Sequence, residues 1–218
     1  MTQEIWDKMM RVHHPPALIR SEESDGRRKE IKKVLTRYIP HDWDRSKSLL
    51  APGCGDGYEI DILRGMGFSD SWGLTNDPRE SAADPRIVLD DMHDMPRIGD
   101  KSIQYMYSKE TLEHTPAPYV ALCEFNRVMA PGGQFLHLIS ISMEKQRELY
   151  HFSCFPDWVW VDLFLKTGFI VDRLYVHPIQ IGILGHKAED KDFDKVPDHW
   201  SYDLNGVMNG LPKENLEL

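Results

Sequence analysis

Between Lys47 and Ile141 short apolar runs alternate with amphipathic ones, and this rhythm restricts the fold more than any other feature of the chain. Ser48-Leu49-Leu50-Ala51 reads as a strand, and a glycine loop carries it into a helical stretch from Tyr58 to Gly65. Ser71 to Thr75 reads as a second strand, after which Pro78 opens a short helix. Arg86 to Leu89 gives a third strand and Ile103 to Tyr107 a fourth. Pro118 to Met129 sets Leu122, Phe125 and Met129 along one helical face; Pro131-Gly132-Gly133 ends it, and Gln134 to Ile141 supplies a fifth strand. Strands that alternate with helices run parallel and are covered on both faces. Pro156 to Lys166 is a further apolar helix, closed by Gly168. Phe169 to Val176 and Ile179 to His186 are strands separated by His177-Pro178 alone, and so short a link permits only an antiparallel pair. The expected architecture is an α/β three-layer sandwich. Its seven-stranded sheet is mostly parallel, with an antiparallel last strand.

Two flanks surround this core. Residues 1–40 read as a helical cap: 22–39 carry Ile31, Val34, Leu35 and Tyr38 at helical spacing before Pro40, and 1–12 form a shorter helix broken at His13-His14-Pro15-Pro16. Residues 41–187 form the main domain, and 188–218 a polar, acidic tail that Phe193, Trp200 and Tyr202 could anchor. The formal net charge is -9, and the one basic run, Arg27-Arg28-Lys29 with Lys32 and Lys33, lies among acids. Such a run is the solvated face of a helix, and the chain lacks the basic surface that long nucleic acids require, so they are not expected as partners. No apolar stretch approaches the roughly 20 residues that span a bilayer, so no membrane association is expected. Met1 to Arg11 lacks a secretory pattern. Cys54, Cys123 and Cys154 make no zinc spacing, and reduced thiols fit a cytoplasmic protein.

The chemistry concentrates at loops after the strands. Leu49-Leu50-Ala51-Pro52-Gly53-Cys54-Gly55-Asp56-Gly57 places glycines where the backbone turns sharply and can approach a ligand. A nicotinamide dinucleotide loop would need its third glycine one residue later. Asp91-Met92-His93-Asp94-Met95-Pro96 follows the third strand, Leu112-Glu113-His114 the fourth, and Arg127-Val128-Met129-Ala130-Pro131-Gly132-Gly133 precedes the fifth. With these four motifs in order, residues 47–187 resemble the class I S-adenosylmethionine-dependent methyltransferases, in the small-molecule group of the ubiquinone-biosynthesis type. The resemblance implies a Rossmann-like fold and S-adenosylmethionine as cofactor. It implies that Gly53, Cys54, Gly55, Asp56 and Gly57 pass under the methionine and ribose, that Asp91 accepts from the adenine amino group, and that Met92 packs on the ring. Ser108 and Lys109 would border the methionine end. The family usually has an acid in the first strand, where this chain has Ala51, and Phe-Asp in the fourth, where it has Ile103-Gln104. At the end of the second strand an acid usually holds the ribose hydroxyls; here Thr75, Asn76 and Asp77 stand in its place.

S-adenosylmethionine carries an activated methyl group, so the protein aligns the acceptor and removes a proton where the acceptor is a hydroxyl. His114 and His151 are the candidate bases, and His137, inside a strand, is read as structural. Asp90, Asp91, His93 and Asp94 are not expected to hold a metal. Acceptor recognition is expected from residues 1–40, with Trp6, His13 and His14, and from 142–160, with Tyr150, His151, Phe152, Phe155, Trp158 and Trp160. The leading expectation is methyl transfer to a small molecule or glycan, at oxygen. Two others stand beside it: a cofactor-binding interaction or regulatory protein with weak catalysis, and a nucleic-acid or protein methyltransferase. The sequence leaves the oligomeric state open.

Overall fold

A computed structural model describes residues 22–142, 151–189 and 211–217. Its elements are α1 (Glu22–Tyr38), β1 (Leu49–Pro52), α2 (Tyr58–Gly65), β2 (Ser71–Thr75), α3 (Pro78–Ala83), β3 (Ile87–Leu89), β4 (Ile103–Lys109), a single 3-10 turn (Leu112–His114), α4 (Pro118–Val128), β5 (Met129–Ser140), α5 (Asp157–Lys166), β6 (Phe169–His177), β7 (Gln180–Lys187) and β8 (Lys213–Asn215). The sheet runs β3-β2-β1-β4-β5-β7-β6-β8. β7 is antiparallel to both neighbours, and the other pairings are parallel.

The period of two in each strand sorts side chains to opposite faces. Leu49 and Ala51 of β1, with Tyr105 and Tyr107 of β4, pack under α1 and α2 around Trp43 and Phe68. Leu50 and Met106 face the other way, into the core under α4 and α5 with Phe125, Phe135, Trp160 and Phe164. Helices therefore cover both faces, and the Rossmann-like α/β sandwich is as expected. Trp43 stacks on Tyr105, ring centroids 4.4 Å apart. No described helix is long and apolar enough to cross a membrane.

Two details differ from the sequence reading. Among the described residues the sheet has eight strands rather than seven. The added one comes from the segment read as a tail: Lys213–Asn215 pairs parallel with β6, so the antiparallel strand is β7 and not the last. Leu211 and Leu216 on either side are buried, in opposite cores. Phe193, Trp200 and Tyr202 lie outside the described residues, as do residues 1–12 and His13-His14. Secondly, Pro131-Gly132-Gly133 lies within β5: Met129 pairs with Ile103, but Gln134 already pairs with Tyr105. Gly132 has φ 69°, and a Cβ on Gly133 would lie 2.9 Å from the Gln104 carbonyl oxygen, so glycines let the strand bulge and rejoin.

Candidate functional site

The glycine loop leaves the carboxyl end of β1, between its parallel neighbours β2 and β4, with β3 beyond β2. Gly53, Gly55 and Gly57 all have left-handed φ, 70°, 55° and 80°. A Cβ on Gly53 would lie 2.5 Å from Thr111, whose hydroxyl donates to the Pro52 carbonyl, so the turn after β4 clamps the loop's start. The Gly53 N–H donates to Leu74 of β2 at 2.8 Å. At Gly55 the nearest atom to such a Cβ is a Glu80 carboxylate oxygen at 4.0 Å, which leaves the loop's middle open for a ligand. Cys54 turns inward, its sulfur 2.3 Å from where a Cβ on Gly73 would stand. Burial pushes its thiol far above the usual range, with the Glu59 and Glu80 carboxylates adding to the effect. Its side chain is packing, and its backbone is what it offers a ligand. Asp56 accepts from the Tyr58 N–H at the start of α2 and lies 3.4 Å from Arg28 of α1.

Beyond β2, Thr75 donates its hydroxyl to Glu80 at 2.6 Å and accepts from the Asp77 N–H. Asp77 is nearly buried; it caps α3 through the Arg79 N–H and pairs with the Arg79 guanidinium. Asn76 is exposed between them. The carboxylate at the rim of the loop is therefore that of Glu80, which the sequence reading missed. Its only sequence signal is its place in the first turn of α3, where a helix brings it back over the strand end.

Asp91 follows β3 with half its side chain exposed. One of its oxygens accepts from the His93 N–H at 2.9 Å and meets His93 Nδ1 at 2.5 Å. The other ring nitrogen of His93, Nε2, meets the buried Thr115 hydroxyl. His93 thus fixes Asp91 and leaves its second oxygen for a donor. Met92 packs against the core beside it. Asp90 turns away, toward the Arg97 N–H.

At the end of β4, Ser108 is buried with its hydroxyl 2.7 Å from His137 Nδ1. The Lys109 ammonium reaches Glu30 of α1 at 3.6 Å and Glu110 at 3.4 Å. His137 is structural, as read: it lies among Phe125, Phe135 and Phe164, and burial lowers its pKa to about 3.

The two candidate bases come from segments far apart in sequence and meet. The His114 and His151 rings are 4.5 Å apart between centroids. Behind them Glu113 is fully buried, one carboxylate oxygen accepting from the Ser140 N–H at 2.8 Å. The segments are bolted together by the Ser153 N–H on the Glu113 carbonyl (3.0 Å) and the Ser153 hydroxyl on the Thr115 carbonyl (2.8 Å). Each of Glu113, His114 and His151 offers an oxygen or nitrogen, all within 4.8 Å of one another. His151, Phe152, Cys154 and Phe155 line an open pocket of about 320 Å³. Of the aromatics expected to meet an acceptor, Phe152 and Trp158 are exposed, while Trp160 is core. Trp6, His13, His14 and Tyr150 lie outside the described residues.

Residues 50–137 match the methyltransferase domain family. No curated protein matches the sequence. Among solved structures, the chain is similar to one from the Haloferax volcanii complex between the Trm112 methyltransferase activator and a methyltransferase. There identity is 16%, the TM-score 0.64, and the match covers 78% of this chain and 100% of that one. It is also similar to the geranyl diphosphate C-methyltransferase of Streptomyces coelicolor, solved with Mg2+, geranyl diphosphate and S-adenosyl-L-homocysteine (11%, 0.59, 75% and 77%). The [4+2]-cyclase SpnF is a further neighbour (15%, 0.60, 74% and 80%). At these identities the structural likenesses speak for the fold.

Proposed function

We propose, on the premise that this chain carries a class I S-adenosylmethionine-dependent methyltransferase domain, that it methylates a small molecule or glycan at an oxygen atom. The observation that carries the oxygen assignment is the meeting of His114 and His151, backed by Glu113, beside an open pocket. A hydroxyl needs a proton acceptor as it reacts, and an imidazole titrates where such an acceptor is useful.

The residues fit the cofactor. Three left-handed glycines leave backbone and space over Gly55, with a Glu80 carboxylate oxygen at its edge, and the half-exposed Asp91 carboxylate follows the parallel strand β3 of the same sheet. In this reading the loop cradles the methionine and ribose, Glu80 takes the ribose hydroxyls with Thr75, Asn76 and Asp77 beside it, and Asp91 accepts from the adenine amino group with Met92 on the ring. Ser108 and Lys109 close the methionine end through their backbone. The cofactor supplies the activated methyl group. His114 and His151 hold the acceptor hydroxyl and take its proton, and Phe152 and Phe155 cover the acceptor.

Calorimetric titration with S-adenosylmethionine and S-adenosylhomocysteine tests the cofactor site. Binding in the micromolar range is expected. Asp91→Ala and Glu80→Gln should each weaken it about 10- to 100-fold, the scale of a hydrogen bond to a charged group. Failure of both ligands to bind overturns the reading, as does wild-type affinity in both variants. Because a [4+2]-cyclase shares the fold, transfer must be measured as well as binding. Labelled methyl transfer to a panel of sugars, phenols, nucleotides and peptides should succeed on a hydroxyl, and exclusive labelling of peptides or nucleotides would overturn the acceptor assignment.

A further inference from the structure

We propose that Glu113, His114 and His151 form a binding site for a divalent transition-metal ion of the zinc class, with its open coordination position facing the pocket beside His151. Two imidazoles and one carboxylate are a set of three protein ligands that catalytic zinc sites use, leaving a fourth position for water or substrate. The three side chains present nitrogen or oxygen atoms within 4.8 Å of one another, so a small inward adjustment brings them to one ion. The donors are mixed and borderline-soft, which favours zinc-class ions over magnesium or calcium, whose ligands are oxygens.

The surroundings are those of a held site rather than a chance encounter of surface groups. Glu113 is wholly buried, and the Ser140 N–H on one of its oxygens fixes the carboxylate's orientation, as an outer partner does for a metal ligand. The two ligand-bearing segments are joined by the paired Ser153 bonds to Glu113 and Thr115, so the geometry does not depend on the ion to assemble it. The pocket of about 320 Å³ has room for an acceptor oxygen to occupy the open position.

This site rests on the cluster alone and not on the methyl-transfer reading. In a metal-loaded chain that also transfers methyl groups, His114 and His151 are ligands and not the proton acceptor: the ion lowers the pKa of an acceptor hydroxyl bound to it, and the proton leaves to solvent.

The test is titration of metal-stripped full-length chain with Co2+, followed by its visible d–d absorption, and with Zn2+ against a chelating dye. One ion per chain is expected, with a low-coordinate Co2+ spectrum. His114→Ala and His151→Ala should each weaken Zn2+ binding more than about 100-fold, beyond what an outer-shell change gives. S-adenosylhomocysteine titration of the same variants reports whether the fold and cofactor site survive. The deciding variant is His151→Ala, since the side chain is partly exposed and its segment lies outside the sheet. Absence of one-to-one Co2+ and Zn2+ binding to wild type overturns the proposal, and so does wild-type Zn2+ affinity in His151→Ala. A chain that binds Zn2+ but no S-adenosylhomocysteine would instead sink the cofactor reading and leave the metal site standing.

Discussion

His137 is kept neutral by its surroundings. Three phenylalanine rings and the Ser108 hydroxyl lie against it, and burial lowers its pKa from 6.5 to about 3. The unfolded chain therefore binds a proton that the folded chain refuses between those two values. The stability tied to this residue is intact above about pH 6.5 and falls as pH drops, by up to about 1.4 kcal/mol per pH unit. His137→Gln keeps a hydrogen-bonding partner for Ser108 without a titrating ring. Urea unfolding between about pH 7 and pH 4 should show a shallower loss of stability in that variant than in wild type. Equal slopes would mean that His137 is protonated without penalty.

At the scale of elements, Arg127 staples α4 to the loop that leads away from Asp91 and Met92. Its guanidinium donates to the Met95 carbonyl at 2.9 Å and the Ile98 carbonyl at 3.2 Å, and pairs with Glu124 and Asp100. Glu124 in turn accepts from the Met95 N–H, and Arg127 beside it holds its carboxyl below the usual range. A third of the side chain is exposed, so solvent screens the ion pairs and the backbone contacts carry most of the effect. Arg127→Ala should cost about 1–3 kcal/mol in urea unfolding. It should also weaken S-adenosylhomocysteine binding, because the Asp91 loop loses its anchor. Arg127→Lys should recover little, since an ammonium cannot reach four partners in a planar fork. A stability loss under about 0.5 kcal/mol would mean that Arg127 does not hold the two together.

The same scale shows what the sequence made legible. Periodic apolar patterns marked α1, α2, β2 and α4 to within a residue or so, because each buries one face and packing writes that face into the sequence. β8 left no such mark: Lys213, Glu214 and Asn215 are all exposed, and the strand is held by backbone pairing with β6 and by Leu211 and Leu216 buried on either side. Pro131-Gly132-Gly133 reads as punctuation by composition, yet its glycines serve a bulge inside β5. Around the candidate site, the loop and Asp91 were marked as candidates by motifs in the sequence. The Glu80 carboxylate and the Glu113–His114–His151 group were not, since their partners come from the turn of a helix and from segments far apart in the chain.

For the whole molecule, the outermost strand matters beyond its three residues. Leu216 is buried in the core under α1, the Tyr38 hydroxyl accepts from the Glu217 N–H at 2.6 Å, and Arg37 pairs with Glu217 at 2.7 Å. Leu216→Ala should destabilise the chain by about 2–5 kcal/mol, measured as a lowered midpoint of chemical unfolding. No change would mean that β8 is a passive edge.

The bond between Tyr38 and Glu217 joins residues 179 apart in the chain. On the ribosome, then, α1 emerges long before the segment that finishes covering it. Its apolar face, with Ile31, Val34 and Leu35, belongs to the core that β1 enters early, but the hydrogen bond at the Tyr38 hydroxyl waits for residue 217. A product that stops short of that point carries every motif of the cofactor site and still leaves an open sheet edge at β6, available to pair with another chain.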